Sequence, residues 1–276
     1  MGVLNVTPDS FYDGGRYLEL DPAVQHVERL LRDGADLIDI GGESSRPRAE
    51  LVPPATQVAR VEGALRAAVS RGALVSVDTT SPEVADRALS LGASLVNDVS
   101  CLADADLASV AAKHRAVLIV MHARGPMQRM AGFSRYPDAA YGDVVADVLD
   151  EWRSARERAL TAGLPRENVW LDPGLGFAKN ARQSFALLSG LEKLCGEGVP
   201  VVVGASRKSF ISLVDDAPPE GRLGGSLAAA LSAVDKGASV LRIHDVSETR
   251  QALAVARAVA RGFATPPEFT SEVQRA

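Results

Sequence analysis

Short apolar segments recur eight times along the chain, and stretches with helical periodicity separate them. The apolar segments are residues 1–6, 37–40, 74–77, 95–96, 116–121, 169–171, 199–203 and 239–241. The helical patterns are clearest at residues 24–31, 55–70 and 141–162, and the last one ends at about Arg261. Strands that alternate with helices predict a parallel sheet with right-handed crossovers. Eight such units favour an α/β protein with a closed (β/α)8 barrel, or TIM barrel, over an open sheet.

A single barrel would use almost the whole chain. The chain has 276 residues, and a (β/α)8 barrel takes about 250, although the length also fits two domains. We assign residues 1–262 to one barrel and predict a flexible tail at residues 263–276, which lack apolar periodicity. Long polar loops at residues 7–17, 41–54 and 122–138 follow the first, second and fifth strands, and loops of this kind typically bind ligands.

Each apolar segment ends in polar residues of types that take part in binding or catalysis. They are Asn5, residues 39–43, Asp78, residues 97–98, His122, Asp172, residues 206–208 and residues 242–244. In a (β/α)8 barrel the C-terminal ends of all strands open onto one mouth. We therefore predict that the functional site lies at this mouth.

Composition narrows the class of protein. Cys101 and Cys195 fit neither a metal-binding spacing nor a disulfide framework and are typical of reduced thiols in the cytoplasm. No apolar run is long enough to span a membrane, and no charged-then-apolar leader precedes the first strand. The net charge of -5 argues against a nucleic acid or an anionic membrane as partner. Local cations would therefore have to hold an anionic substrate.

Asp78, Asn97 and Asp172 lie at three different strand ends. Two carboxylates and a carboxamide suit a flat heterocycle with several N–H and C=O groups, because a buried carboxylate can accept two parallel hydrogen bonds from an aminopyrimidine. Asp is also favoured at helix N-termini, so Asp78 and Asp98 fit helix caps as well. The three residues taken together favour the ligand site.

Cations follow the second and seventh strands. Ser206-Arg207-Lys208-Ser209 lacks the spacing of a Walker phosphate loop. Two adjacent cations cannot point the same way, so we expect Lys208 to contact a ligand while Arg207 faces solvent or a structural carboxylate; the alternative is an exposed charged turn. Arg46 fits a bidentate clamp for a carboxylate or phosphate, although a solvated loop arginine is the commoner case.

Arg242 and His244 alternate at the end of the eighth strand, so they share a face. Beside Asn5 on the first strand they would hold a phosphate or diphosphate. The amide oxygen of Asn5 is a suitable Mg²⁺ ligand when phosphate oxygens and water complete the octahedron. A lone histidine would more simply be structural, but the neighbouring Arg242 favours a ligand role for His244, while His122 fits either role.

Motifs along the whole chain resemble the dihydropteroate synthase family. They are MGVLNVTPDSF (1–11), DGG (13–15), GGESSRP (41–47), SVDT (76–79), NDVS (97–100), MHARG (121–125), DPGLGF (172–177), SRKS (206–209), GSLA (225–228) and RIHDV (242–246). Each motif is weak alone, and the set is highly specific. The resemblance implies a pterin-binding TIM-barrel transferase that joins p-aminobenzoate to (7,8-dihydropterin-6-yl)methyl diphosphate, giving diphosphate and 7,8-dihydropteroate for folate biosynthesis. It also implies a bound Mg²⁺ and a homodimer.

The resemblance further implies which residues bind each substrate. The pterin would be bound by Asp78, Asn97, Asp172 and Lys208. The diphosphate would be held by Asn5, Ser45, Arg242 and His244, with Mg²⁺ on Asn5. The p-aminobenzoate site would be shaped by Phe11, Arg46, Pro47, Phe177 and Ser206. Catalytic roles would fall to Lys208, Arg242, His244, Asp13 and Arg46.

The expected chemistry is the loss of a metal-bound diphosphate from a carbon next to an electron-rich dihydropterin. We expect a carbocation-like transition state, so the site needs charge stabilisation more than a covalent nucleophile. Arg242 and His244 would stabilise the departing anion, and Asp13 would stabilise the developing cation.

The chain departs from the family pattern in several places. Family members usually have an N-terminal hairpin ahead of the first strand motif, and its absence would leave the bottom of the barrel less covered. Tyr12 replaces a usual Ser, and Ser45 replaces a usual Thr. Arg48 and Ala178 each replace a usual Gly, and Asn180 replaces a usual Thr. We expect these replacements to affect the rate rather than the reaction.

Two other functions stay open. A methyltetrahydrofolate methyltransferase would share the pterin pocket but not the SRKS motif with Arg242 and His244. A non-catalytic pterin-binding paralogue is the second alternative, and the intact loops after the first and second strands argue against it.

Overall fold

The computed structural model describes residues 1–7, 22–44, 50–126 and 132–261. The strands in these ranges are β1 (Gly2–Asn5), β2 (Leu37–Gly41), β3 (Leu74–Asp78), β4 (Leu95–Asp98), β5 (Val117–Met121), β6 (Val169–Asp172), β7 (Val202–Val203) and β8 (Val240–Leu241). All eight coincide with the predicted apolar segments. The predicted tail at residues 263–276 lies outside the described residues.

The strands are parallel and close into a barrel. β1 to β6 form one sheet in chain order, and β7 pairs with β8. Backbone hydrogen bonds join the two sheets at both seams: Leu171 N donates to Pro200 O at 3.0 Å, and Val3 N donates to Ile243 O at 3.1 Å. The predicted (β/α)8 barrel is confirmed.

β7 and β8 are shorter than the predicted strands at residues 199–203 and 239–241. Ser239 N and Val240 N both donate to Val201 O, at 2.9 and 3.1 Å. Two successive donors on one acceptor form a bulge, which interrupts regular pairing while the strands stay adjacent.

Helices follow the strands and cover the barrel. They are α1 (Pro22–Arg32), α2 (Pro54–Ser70), α3 (Pro82–Ser90), α4 (Asp106–His114), α5 (Val144–Thr161), α6 (Ala181–Ser189), α7 (Leu191–Cys195), α8 (Leu223–Asp235) and α9 (Val246–Arg261). Ser81 caps α3, because its Oγ accepts a hydrogen bond from Val84 N at 3.4 Å and Pro82 takes the first helical position. Within the described ranges, no helix combines the length and apolarity that a membrane span requires.

Apolar side chains give way to polar ones along the barrel interior. Near the N-terminal ends of the strands a buried cluster contains Met1, Leu37, Leu95, Ile119 and Val202. Closer to the C-terminal ends the buried residues include Asp39, Ser76, Asn97 and Asp172. Buried polar groups need partners, so this change along the barrel axis marks the mouth as the place where specific polar contacts are made.

Candidate active site

Asp39, Asp78 and Asn97 stand on three neighbouring strands and are joined by Arg242 from β8. The Arg242 guanidinium donates from Nε to Asp39 Oδ2 and from Nη2 to Asp78 Oδ2, each at 2.7 Å. Asn97 Nδ2 also donates to Asp39 Oδ2, at 3.0 Å. One arginine is thus shared between two carboxylates inside the barrel.

Burial dominates the electrostatics of this group. It raises the pKa of Asp78 to about 7, against the opposing effect of Arg242 and with a further increase from Asp39. Burial by itself would lower the pKa of Arg242, but Asp39 and Asp78 raise that pKa above its ordinary value. The guanidinium therefore stays charged, while Asp78 can change protonation near neutral pH.

The sequence pattern indicates no role for Asp39 beyond its place in the ending of the second strand. A charged residue inside the apolar strand LIDIG is a usable signal, because a buried charge needs a partner. The sequence pattern does not identify that partner, since Asp39 and Arg242 are 203 residues apart in the chain.

Asp172 and Lys208 lie on the other side of the mouth. The Asp172 Oδ1 atom accepts a hydrogen bond from Gly174 N at 2.7 Å. Lys208 Nζ donates to Leu175 O at 2.6 Å and lies 4.5 Å from the centroid of the Phe177 ring. Burial raises the pKa of Asp172, while the charge of Lys208 opposes the shift. Burial lowers the pKa of Lys208 to about 8, and Asp172 opposes that change.

The two adjacent cations diverge as expected. Arg207 forms a two-bond ion pair with Asp245, from Nη2 at 2.6 Å and from Nε at 2.9 Å, while Lys208 points into the barrel. The backbone at Arg207 has a φ of 55°, in the left-handed region that residues with a side chain seldom adopt. Arg207 N donates to Ser226 Oγ at 2.8 Å and so holds this uncommon conformation.

His244 lies at the rim and contacts Ser206. The His244 backbone N–H donates to Ser206 Oγ at 3.2 Å, and the ring Nδ1 lies 3.0 Å from the same oxygen. Desolvation and the charge of Arg242 both lower the pKa of His244, so the ring is neutral at neutral pH. The Arg242 side chain points towards Asp39 and Asp78. That Arg242 and His244 bind the same anion therefore stays a prediction.

Asn5 ends β1 and is exposed at the mouth. Gly41 lies beside Asn5, and a side chain at Gly41 would fill the space between Asn5 and Asp78: an added Cβ would lie 3.6 Å from Asn5 Oδ1 and 3.3 Å from Asp78 Cβ. In the described part of the chain, no group of three or more His, Cys, Asp or Glu side chains is arranged to hold a metal. Asn5 offers a single amide oxygen, a donor that suits Mg²⁺ when other oxygens come from a phosphate and water.

Phe177 is buried beside Lys208 and contacts Phe133 edge to face, with 5.2 Å between ring centroids. Next to it, Ala178 has a φ of 45°, in the left-handed region that the usual glycine would adopt without strain. Asn180 caps α6, since its Oδ1 accepts from Gln183 N at 2.9 Å. Its Nδ2 donates to Asp138 Oδ1 at 2.6 Å, which ties the preceding loop to α6.

Lys179 is completely buried, although it is not among the residues that the sequence pattern predicts for the site. Its Nζ donates to Phe177 O at 2.9 Å and to His122 O at 3.3 Å, so it connects the segment after β6 to the end of β5. A lysine in a polar segment is usually exposed, and nothing in the local pattern marks Lys179 as buried.

Five predicted site residues lie outside the described residues: Phe11, Asp13, Ser45, Arg46 and Pro47. Their roles stay predictions. The remaining predicted residues lie at the C-terminal ends of strands or in the segments that follow them, around one mouth.

Comparison with known proteins identifies close relatives of the chain. A family model described as pterin binding enzyme matches residues 1–244. The chain is 41% identical over 250 residues to a dihydropteroate synthase of Bacillus subtilis, a match that covers 90% of this chain and 84% of the relative. It is 40% identical over 261 residues to a dihydropteroate synthase of Haemophilus influenzae, covering 94% of this chain and 93% of the relative.

Solved structures agree with these relatives. A Xanthomonas albilineans dihydropteroate synthase with 4-aminobenzoic acid matches with a TM-score of 0.86 and 40% identity, over 96% of this chain and 93% of that one. A structure of the enzyme from the same organism in complex with 7,8-dihydropteroate matches with a TM-score of 0.82 and 38% identity, over the same shares of both chains.

Proposed function

The chain belongs to the dihydropteroate synthase family of pterin-binding enzymes, and we propose that it joins p-aminobenzoate to (7,8-dihydropterin-6-yl)methyl diphosphate to give 7,8-dihydropteroate and diphosphate. The observation that carries this proposal is the group of Asp78, Asn97, Asp172 and Lys208 around one barrel mouth. A flat heterocycle that enters this mouth meets carboxylate acceptors, an amide and one cation.

The pterin site follows from the donors and acceptors of these residues. Asp78 and Asp172 offer carboxylate oxygens to the N–H groups of an aminopyrimidine. Lys208 is a buried donor for a ring carbonyl or ring nitrogen, and its position over Phe177 restrains its direction. Charge-assisted bonds of this kind are the strong ones in a buried pocket.

The diphosphate site combines Asn5, Arg242 and His244, with Ser45 from the second loop. Two of these residues, Asn5 and His244, are exposed at the rim, where an anion can approach. The amide oxygen of Asn5 would hold Mg²⁺, and a bound Mg²⁺ would supply positive charge to a departing diphosphate. Arg242 supplies a permanent positive charge to the same anion, because its pKa lies above the ordinary value.

The p-aminobenzoate site would lie beside the pterin, against Phe177 and Ser206, with Phe11, Arg46 and Pro47 from the first two long loops. Phe177 already contacts the Lys208 ammonium group, so an aromatic ring there would lie next to the pterin site. Arg46 would pair with the carboxylate of p-aminobenzoate.

Charge stabilisation accounts for the proposed reaction. Loss of diphosphate leaves positive charge on the carbon attached to the dihydropterin. The amine of p-aminobenzoate attacks that carbon and then loses one proton, which the released diphosphate or water takes up. Arg242 and His244 would stabilise the leaving anion, and Asp13 would stabilise the carbocation-like transition state. This route needs no covalent nucleophile in the protein.

A cytoplasmic homodimer completes the proposal. Cys101 and Cys195 are both free thiols, which suits a reducing compartment. Light scattering of the purified protein would measure the oligomeric state, and a mass equal to one chain would contradict the dimer.

The decisive experiment mixes the two substrates with Mg²⁺ and measures diphosphate release together with dihydropteroate by chromatography. We expect both products in equal amounts, and neither when p-aminobenzoate is omitted. Pterin binding without any turnover would instead identify a non-catalytic pterin-binding protein. Methyl transfer from methyltetrahydrofolate without diphosphate release would identify the methyltransferase alternative.

A further inference from the structure

Asp39 lies below the predicted pterin residues and contacts two of the proposed substrate-binding side chains. It is fully buried on β2, in register with Ser76 of β3. Two residues further along the same strand, Gly41 is in register with Asp78 at the mouth. Asp39 is thus one layer deeper than Asp78, where a substrate at the mouth would reach it only through other side chains.

Asp39 determines which way the Asn97 amide faces. A carboxylate accepts hydrogen bonds and has no proton to donate, so its partner at 3.0 Å is the amide nitrogen of Asn97. The Asn97 Oδ1 atom then remains available as an acceptor for an N–H group of a heterocycle. Without Asp39 the amide would be free to turn and present its nitrogen instead.

Asp39 also anchors Arg242 through Nε, which is a different nitrogen from the one that contacts Asp78. Arg242 uses Nε for Asp39 and Nη2 for Asp78. A pterin that donates to Asp78 competes with Nη2 for the same carboxylate. When Nη2 leaves Asp78, the bond between Nε and Asp39 keeps the buried guanidinium paired, because an unpaired buried charge is very costly.

We propose that Asp39 is a positioning residue with two roles. It orients the Asn97 amide, and it anchors Arg242 through Nε while the Nη2 group of Arg242 moves its hydrogen bond from Asp78 to the anionic group of the substrate. The inference rests on the proposed function, since it takes Asp78 as a pterin ligand and Arg242 as a diphosphate ligand. It follows that pterin and diphosphate each strengthen the binding of the other: the anion draws Nη2 away from Asp78, and the pterin replaces Nη2 there.

The test measures binding of 6-hydroxymethylpterin, which carries no diphosphate, by calorimetry with and without inorganic diphosphate and Mg²⁺. In the wild-type protein we expect diphosphate to increase the pterin affinity by about fivefold or more, as is typical of coupled sites. The Ser76→Ala variant is the matched control, because Ser76 is buried in the same layer and its Oγ has no hydrogen-bond partner among the described residues. It should show the same increase.

The Asp39→Asn variant should behave differently. Arg242 then has only Asp78 as a charged partner, so a pterin alone would have to leave the guanidinium without a counter-charge. We expect its pterin affinity to fall about tenfold or more without diphosphate, and to recover in part when diphosphate supplies the missing charge. A variant that binds pterin as tightly as wild type, or whose loss diphosphate does not reduce, would overturn the proposal. A merely structural role for Asp39 predicts the second of these outcomes.

A measurement on the wild-type protein covers the case in which Asp39→Asn does not fold. The side-chain Nε–H signal of Arg242 can be identified in ¹⁵N-arginine spectra by its absence from the Arg242→Lys variant. We expect this proton to exchange slowly with solvent both in the free protein and in the complex with 6-hydroxymethylpterin, since Asp39 holds it in both. Fast exchange in the complex would refute the anchoring role.

These binding tests are independent of turnover. Absence of diphosphate release from the two substrates, with coupled binding of pterin and diphosphate intact, would contradict the proposed function alone. Normal product formation together with wild-type pterin affinity in Asp39→Asn would contradict the positioning role alone.

Discussion

Lys179 Nζ lies 2.8 Å from His122 Nδ1, and both side chains are completely buried. Lys179 also donates to two backbone carbonyls, so its three acceptors match the three donors of an ammonium group. While Lys179 is protonated, the His122 Nδ1 atom accepts and the ring carries its proton on Nε2. That nitrogen lies 3.0 Å from Glu151 Oε2 and donates to it. Burial and the charge of Lys179 lower the pKa of His122 to about 3, so the ring is neutral.

The contact between Lys179 and His122 supports the wall of the pocket that contains Phe177. Glu151 on α5 is bound in turn by Arg124, whose guanidinium lies 3.8 Å from the centroid of the Tyr141 ring. Through Lys179 this cluster reaches the backbone of Phe177, the residue that contacts Lys208. His122, which suited either a ligand or a structural role, is thus part of the supporting structure.

Replacement of Lys179 by methionine should destabilise the protein and loosen the pocket. The change leaves His122 Nδ1 and the carbonyl groups of His122 and Phe177 without their donor, while it removes a buried charge that is itself unfavourable. We expect a net loss of about 2–4 kcal/mol in the free energy of unfolding, measured by urea denaturation. Lys113→Met is the control, because Lys113 is exposed and pairs with Asp86 on the surface, where loss of the pair costs less than about 1 kcal/mol. Equal losses in both variants would contradict the prediction.

The stability of the protein should rise with pH above neutrality. Burial lowers the pKa of Lys179 to about 7 and that of Lys208 to about 8, whereas the pKa of an unfolded lysine is about 10.4. The unfolded chain binds more protons between these values, so the free energy of unfolding increases with pH, by on the order of 2 kcal/mol from about pH 7 to about pH 8.5. Asp78 opposes the increase within this range, because burial raises its pKa to about 7 and its folded carboxyl still holds part of a proton there. At higher pH Cys101 also acts in the opposite direction, because burial raises the pKa of its thiol.

Urea denaturation at the two pH values measures this increase, with Lys179→Met as the comparison. The variant lacks the group with the larger expected contribution, so its stability should rise by less than half as much. An increase of the same size in wild type and variant would show that Lys179 is not responsible.

Lys208→Ala and Asp172→Asn should each weaken pterin binding strongly. Each change removes a charged partner from a buried pocket, at a cost of roughly 1.5–3 kcal/mol before any rearrangement. Titration with a pterin analogue measures the loss. Arg207→Ala is a matched control for Lys208→Ala, since Arg207 is the adjacent cation and its guanidinium pairs with Asp245 outside the pocket. Wild-type affinity in either pocket variant would refute the pocket assignment.

Diphosphate should bind more tightly with Mg²⁺ than without it, and this difference should depend on Asn5. Asn5 is exposed at the mouth, and its amide oxygen, which lies beside Gly41, is the proposed protein ligand of the metal. In Asn5→Ala we expect diphosphate binding to lose most of its Mg²⁺ dependence, as measured by calorimetry with and without the metal. The same Mg²⁺ dependence in wild type and variant would rule out Asn5 as the ligand.

The local pattern of residues is sufficient to predict the eight strands, their closure into a barrel and most of the residues around its mouth. Apolar runs predict buried parallel strands, because a parallel strand is covered on both faces. The divergence of Arg207 and Lys208 was also predictable, since it follows from the geometry of adjacent residues.

Only the tertiary structure decided which charged groups pair. Arg242 and Asp39 are brought together by closure of the barrel, and Lys179 and His122 by the packing of β5 against the segment that follows β6. Periodicity in a sequence records which face of an element is buried, and it carries no information about the partner on a distant strand. The burial that shifts the pKa values of Asp78, Lys179 and Lys208 arises from the same long-range packing, so these shifts exist only once the barrel has closed.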